Sequence, residues 1–212
     1  MNEEILRKYY TSHKNMLKVL KYRGFSENVV DQHSLSEEEF NNTYGIYDIN
    51  DMKNSMSEGL TFKQKNKPTT IIVWITDPKL GANIADINSQ LENDAASSAL
   101  IIADEGTTPQ AKETIRNLKT TKKIFIDVWT LWESMVFVPD HCFVPFHRIC
   151  SVKEKKAVLA TYGLQDGKKI PCLLPTDVMT KFLGATKGNL VYILRPSETD
   201  PDKFIPTYRM VY

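Results

Sequence analysis

Arg195-Pro196-Ser197-Glu198-Thr199 puts a planar guanidinium, a fixed backbone turn and three hydrogen-bonding side chains in consecutive positions. A guanidinium fork can hold a carboxylate or backbone carbonyls in two directions. Pro196 fixes φ as the chain leaves an apolar run. Ser197, Glu198 and Thr199 can satisfy turn amides or present a polar edge. Such a set suits docking on a partner. The plainer alternative is that these residues only stabilise their own turn, as solvated charged residues usually do. Thr108-Pro109 is a second candidate. Thr108 suits the N-cap and Pro109 the first position of a helix, and Lys112, Arg116, Lys119, Lys122 and Lys123 follow. Free amides at a helix start, with positive charge nearby, attract phosphate. An ordinary cap on a solvated helix face is the competing reading.

Two further groups suggest metal chemistry. His141, Cys142, His147 and Cys150 contain ligand types for zinc, but their spacing lacks the paired C-x2-C knuckle of structural sites. The intervening Val144-Pro145 favours an extended segment that scatters those side chains. His147 reads better as a satisfied, half-buried histidine. Asp77, Lys79, Asp104 and Glu105 could place carboxylates and a lysine at strand ends, as a metal-dependent nuclease requires. Lys79 lies beyond a proline turn and Glu105 leads into a loop, which argues against it. There is no G-x-S-x-G, P-loop or G-x-G-x-x-G pattern.

These residues need elements to position them. Glu3 to Arg23 has the spacing of an amphipathic helix, with Ile5, Leu6, Tyr9, Met16, Leu17 and Leu20 on one side and Gly24 as its stop. Ser36 with Glu39 predicts a capping box for a short helix through Phe40. Ile49 to Pro68 is polar and lysine-rich and reads as a strand edge or loop. Thr69 to Thr76 and Ala99 to Ala103 read as buried strands, and Lys123 to Trp129 as a third strand. Helical spacing runs from Leu80 to Leu91, and again from Pro109 with Ile115 and Leu118 inward. Strand and helix alternation implies an α/β layer with parallel strands. Trp74, Trp129 and Trp132 fall in apolar segments and suit core or interface positions.

The texture changes after Phe137. Val138 to Asp140 and Val144 to His147 read as extended. Ser151 with Glu154 predicts a capping box for a helix ending near Tyr162-Gly163. Thr176 is read as the cap of a short helix stopping at Gly184. Asn189 to Arg195 and Thr207 to Tyr212 read as strands joined by Pro196 to Pro206. The pattern implies a compact α+β unit with its boundary near Val138 to Asp140.

The 212 residues suffice for one large or two small domains, and 42% hydrophobic with 25% charged residues supports a packed core. A formal net charge of +1 argues against a stand-alone nucleic-acid binder, so any such contact is local or shared. Three cysteines without a C-x2-C pair fit a reducing compartment. MNEEILRKYY lacks an apolar core for a signal peptide, and the run Ile71 to Ile75 is too short to span a bilayer. A soluble intracellular protein is expected.

Gly188 to Thr199, followed by Tyr208-Arg209, resembles the C-terminal domain of the fifth subunit shared by eukaryotic nuclear RNA polymerases. A small archaeal RNA polymerase polypeptide consists of the same domain. His141 to His147 is similar to the family's H-x-L-V-P-x-H, Ile170-Pro171 stands at its L-P, and Asp177 and Gly184 stand in its D-P-V-x-R-Y-x-G. Thr108-Pro109-Gln110-Ala111 resembles its T-P-S-A. Gln110, Val178, Lys181 and the stretch Asp200 to Pro206 depart from the pattern, which points to a divergent lineage, a protist or a large DNA virus. The resemblance implies an α/β jaw-like domain over 1–138 and a small α+β assembly domain over 139–212. It implies a non-catalytic subunit of a DNA-directed RNA polymerase, packed on the largest subunit and near other polymerase subunits. Partner contacts would fall on Arg195, Pro196, Ser197, Glu198, Thr199, Tyr208, Arg209, Pro145 and His147. Thr108, Pro109, Lys112 and Arg116 would face downstream DNA through non-specific phosphate contacts. It implies no cofactor, membrane or small-molecule substrate, and a nuclear location, or virion and host cytoplasm for a viral version. A metal-dependent nuclease or a stand-alone DNA-binding module would be the alternatives.

Overall fold

The computed structural model describes residues 3–45, 49–75, 77–81, 83–197, 199–200 and 202–212. They form two units, Met1–Val136 and Phe137–Tyr212. The first begins with α1 (Glu3–Tyr22), α2 (Glu27–Val30), α3 (Glu37–Tyr44) and α4 (Ile49–Ser57). It continues with β1 (Leu60–Phe62), β2 (Thr70–Trp74), β3 (Lys79–Leu80), α5 (Ile84–Asn93), β4 (Ser98–Ala103) and β5 (Gly106–Thr107). It closes with α6 (Pro109–Thr121), β6 (Phe125–Thr130) and α7 (Leu131–Ser134). The main sheet has the order β1-β2-β4-β6, with β2, β4 and β6 parallel and β1 antiparallel at one edge.

Both faces of this sheet are covered, so β2 and β4 are buried throughout and, past Thr70 and Ser98, apolar. On one face Ile71, Val73, Ala99 and Ile101 pack with Ile84, Ile87 and Leu91 of α5 and with Ala111 and Ile115 of α6. On the other, Trp74 donates its indole N–H to Ser12 of α1 at 2.9 Å, and Ser134 of α7 donates to the same hydroxyl at 2.7 Å. Gly24 ends α1 with φ +84, a conformation that favours glycine. There its amide bonds Lys21 O and the Phe25 amide bonds Leu20 O.

The region read as a strand edge or loop, Ile49 to Pro68, does contain the edge strand β1 and a following loop, but its first part is the helix α4. Met52 and Met56 of α4 lie one turn apart and are buried, an apolar stripe that the surrounding polar residues masked. Leu80 belongs to β3, so α5 starts later than its spacing predicts. Thr76, at the end of the first predicted strand, lies outside the described residues. Trp74 and Trp129 are buried, whereas Trp132 is 73% exposed and is no core residue. No described helix is long and apolar enough to cross a membrane.

The second unit contains β7 (Phe146–Ile149), α8 (Val152–Thr161), β8 (Cys172–Leu173), α9 (Val178–Leu183), β9 (Leu190–Pro196) and β10 (Phe204–Val211). Its sheet runs β7-β9-β10-β8, antiparallel except for the parallel β10–β8 pair. On one side Leu190 and Met210 form a core with Cys150 and Ile170, against which Val158 and Leu159 of α8 pack. Val138–Asp140, read as extended, is a 3-10 turn, with Pro139 in its first turn where a missing N–H costs nothing. Ser151 and Glu154 form the predicted capping box of α8. The cap of α9 is Asp177, whose carboxylate accepts from the Met179 amide at 2.8 Å, and not Thr176. Asp is as good an N-cap as Thr and stands one residue closer to the helix.

Candidate docking surface

β9 and β10 pair from Pro196↔Phe204 to Leu190↔Met210. Leu190, Val191, Met210 and Val211 are buried, whereas Arg195, Pro196, Phe204, Ile205 and Pro206 are exposed. The far end of this hairpin therefore carries apolar residues to solvent: Phe204 is 62% exposed and Ile205 48%.

Register divides the predicted contact residues between two faces. Residues paired across strands share a face, and successive residues alternate. His147 pairs with Ile193, which pairs with Thr207, and Arg195 pairs with Ile205. His147, Arg195 and Arg209 thus lie on one face. Arg148, Tyr192 and Tyr208 lie on the other with Phe146, Leu194, Pro196 and Phe204.

On the first face His147 is buried, and its Nδ1 donates to Pro145 O at 2.6 Å. Burial lowers its pKa, and the charges of Arg195 and Arg209 push the same way, against the opposing influence of Pro145 O and Asp177. A neutral His147 leaves the two arginines as the positive charge of this face. Arg209 donates to Cys172 O at 3.1 Å, so it braces the strand beside it. Arg195 has no ion pair or side-chain hydrogen bond among the described residues. Among the described residues its fork is left free to meet a partner.

The turn residues behave differently. Ser197 N donates to Lys203 O at 2.7 Å, Thr199 N donates to Ser197 Oγ at 3.3 Å, and the two hydroxyls lie 3.2 Å apart. Both side chains close their own turn. Glu198 lies outside the described residues. On the second face Tyr208 sits edge-on to Tyr192 at 5.7 Å and to Tyr162 at 6.4 Å, and Arg148 stacks 4.7 Å from the Tyr192 ring. Arg148 also forms two hydrogen bonds to Glu154, at 2.7 and 3.1 Å. The guanidinium and the capping box hold that carboxyl down at about 2. Sequence reasoning missed Phe146, Phe204 and Ile205 as surface residues. Their signal was the persistence of large apolar side chains where strand alternation calls for polar ones.

In the first unit, Thr108 Oγ1 accepts the Ala111 amide at 3.3 Å, and Pro109 stands at the start of α6. Arg116 pairs with Glu113 at 3.0 Å, Lys122 with Glu92, and Lys119 lies over the Phe125 ring at 5.2 Å. Much of the charge on this helix is thus used internally, and Lys112 is exposed. The carboxylates weighed for metal chemistry are dispersed. Asp104 accepts from Tyr9 at 2.8 Å and from Lys53 at 2.7 Å, and Glu105 pairs with Lys79 at 3.3 Å. His141 accepts the Phe143 amide at 3.2 Å, while Cys150 is buried in the second core. Among the described residues no group of three or more His, Cys, Asp or Glu could hold a metal ion.

Comparison with known proteins agrees with this architecture. Residues 136–211 match the family model of the RNA polymerase Rpb5 C-terminal domain. Subunit RPABC1 of DNA-directed RNA polymerases I, II and III from Caenorhabditis elegans is 34% identical over 136 residues, 64% of this chain and 62% of that protein. The match therefore spans less than two thirds of the nematode protein. Subunit rpabc1 of Dictyostelium discoideum is 30% identical over 150 residues, 69% of this chain and 75% of that protein. Subunit Rpo5 of Pyrococcus abyssi is 41% identical over 59 residues, 28% of this chain and 71% of that protein. On these matches the chain belongs to the Rpb5 family of RNA polymerase subunits.

Proposed function

We propose that the chain is a non-catalytic structural subunit of a multisubunit DNA-directed RNA polymerase, docked on the largest subunit through its C-terminal unit. The observation that carries the docking is the uncovered end of the β9–β10 hairpin, where an unengaged Arg195 stands beside exposed Ile205. An arginine flanked by apolar surface is the composition of an interface anchor. Ser197 and Thr199 act indirectly, by fixing the turn that presents Arg195. Residues 1–138 act as a jaw-like domain, with Thr108, Pro109, Lys112 and Arg116 directed to downstream DNA phosphates. Lys112 is the strongest of these, since Arg116 already has a carboxylate partner. The compartment is that of the polymerase, the nucleus for a cellular enzyme or the virion and host cytoplasm for a viral one.

The test is capture of the largest polymerase subunit by the tagged chain. Arg195→Ala is expected to weaken capture by about 30-fold, the loss of about 2 kcal/mol at an interface anchor. Its circular dichroism should be unchanged, because the side chain makes no bond among the described residues. Capture equal to wild type would remove Arg195 from the interface.

A further inference from the structure

The outer edge of β10 is paired only at its end. β8 meets it at Met210↔Cys172 and Val211↔Leu173, and among the described residues no strand pairs with that edge further upstream. The Met210 amide donates across this edge to Pro171 O at 2.9 Å. Backbone groups of successive residues point to opposite edges, so Tyr208, Pro206 and Phe204 also present theirs outward. Ile205, Thr207 and Arg209 face β9. Pro206 has no N–H, which a sheet tolerates where that position faces an open edge. Among the described residues the amides of Tyr208 and Phe204 and the carbonyls of Phe204, Pro206 and Tyr208 remain as an open row.

Beside this row lies a cavity of about 430 Å³, walled by Tyr162, Leu164, Ile170, Pro171 and Tyr208, with Lys169 at its lining. It forms where the chain leading into β8 diverges from β10. The tyrosines are held in place by their own packing: Tyr208 stands edge-on between Tyr162 and Tyr192.

We propose that this edge and cavity receive an extended, acidic peptide segment of a partner protein, added to the sheet as a strand beside Tyr208. Unpaired donors and acceptors along a strand recognise extended backbone. Alternate side chains of an added strand share one face, so an aliphatic one enters the cavity while a carboxylate two residues along, on the same face, meets Lys169. A polyproline helix also suits tyrosine- and proline-lined grooves. It offers no regular backbone pairing, however, and would leave the Tyr208 amide and carbonyl unmatched. The surface is the outer edge and the face opposite Arg195. It stands whether or not the Arg195 face docks on a polymerase.

A short fluorescein-labelled peptide with valine and glutamate two residues apart and threonine between them, titrated into the full chain by fluorescence anisotropy, tests this. The expected result is saturable binding, with slowed hydrogen exchange at the Tyr208 amide. Lys169→Glu, which reverses the charge, and Leu164→Trp, which fills the cavity, should each weaken it at least about tenfold. Methylating alternate backbone nitrogens of the peptide blocks strand pairing without touching the protein, and should abolish binding. Arg195→Ala should leave it unchanged, which separates this surface from the polymerase-docking face. Absence of saturable binding to the wild-type chain overturns the proposal, as does equal binding of the methylated peptide.

Discussion

His13 is the clearest case of a single residue working against its surroundings. It is 1% exposed, and neither ring nitrogen has a hydrogen-bond partner among the described residues. The ring stacks on Trp74 with centroids 5.8 Å apart and lies 5.5 Å from Phe40. Burial in this aromatic wall lowers its pKa to about 4, with the nearby His33 adding to the effect. The unfolded chain then binds a proton more readily than the folded one. The stability contributed by a neutral His13 is complete above pH 6.5 and is lost as pH falls towards 4. The loss amounts to about 3 kcal/mol. Urea unfolding across this window should show the decline, and His13→Leu should flatten it, because leucine fills the site without a titrating group. An equal decline in the variant would assign the acid sensitivity to other groups. Glu154 acts in a separate and lower window. Its ion pair and cap stabilise the fold above about pH 4.5 and lose that effect as pH falls towards 2.

Among the elements, α1 is fastened to the sheet at both of its turns that matter. Ser12 joins it to Trp74 and Ser134, and Arg23 at its end reaches Asp127 of β6 at 2.5 Å. The Arg23 and Asp127 side chains are only 10% and 17% exposed. Removing one partner of such a pair strands a charge in a poorly hydrated site. Asp127→Ala should therefore lower unfolding stability by about 3 kcal/mol, with Asp127→Asn recovering part of it, as read from the urea midpoint. None of this pairing was legible in the sequence, because the two residues are far apart along the chain and only the fold brings them together. What was legible is local. The capping boxes at Ser36 and Ser151 and the cap at Thr108 are written within four residues, and all three form. Thr130 with Glu133 carries the same signature, was overlooked, and forms too. The stripe of α4 was hidden because two methionines among polar residues give a weak periodic signal. The contact residues were legible as residue types but not as a surface. Whether Arg195 and Tyr208 share a face depends on strand register, which is set by hairpin pairing and not by spacing.

At the scale of the whole molecule, the second unit has its own core and a sheet closed by its own helices. The Pyrococcus relative matches 59 residues of this chain over 71% of its own length, so a domain of this kind exists with little else attached. Residues 137–212 expressed alone should fold, with a cooperative thermal transition in circular dichroism; a featureless melt would make the unit dependent on the rest of the chain. The first unit carries a different consequence in its strand order. Its parallel strands advance from β2 through β4 to β6 in a single direction, and α5 and α6 lie on the same face. In open α/β sheets, ligand crevices form where the winding reverses, because two neighbouring loops then part to opposite sides. Across its described strands this sheet winds one way only, so that reversal is missing there. Tyr9 and Lys53 both engage the Asp104 carboxylate at the tip of β4, so the acidic group best placed for such a crevice is already bound by the unit's own side chains.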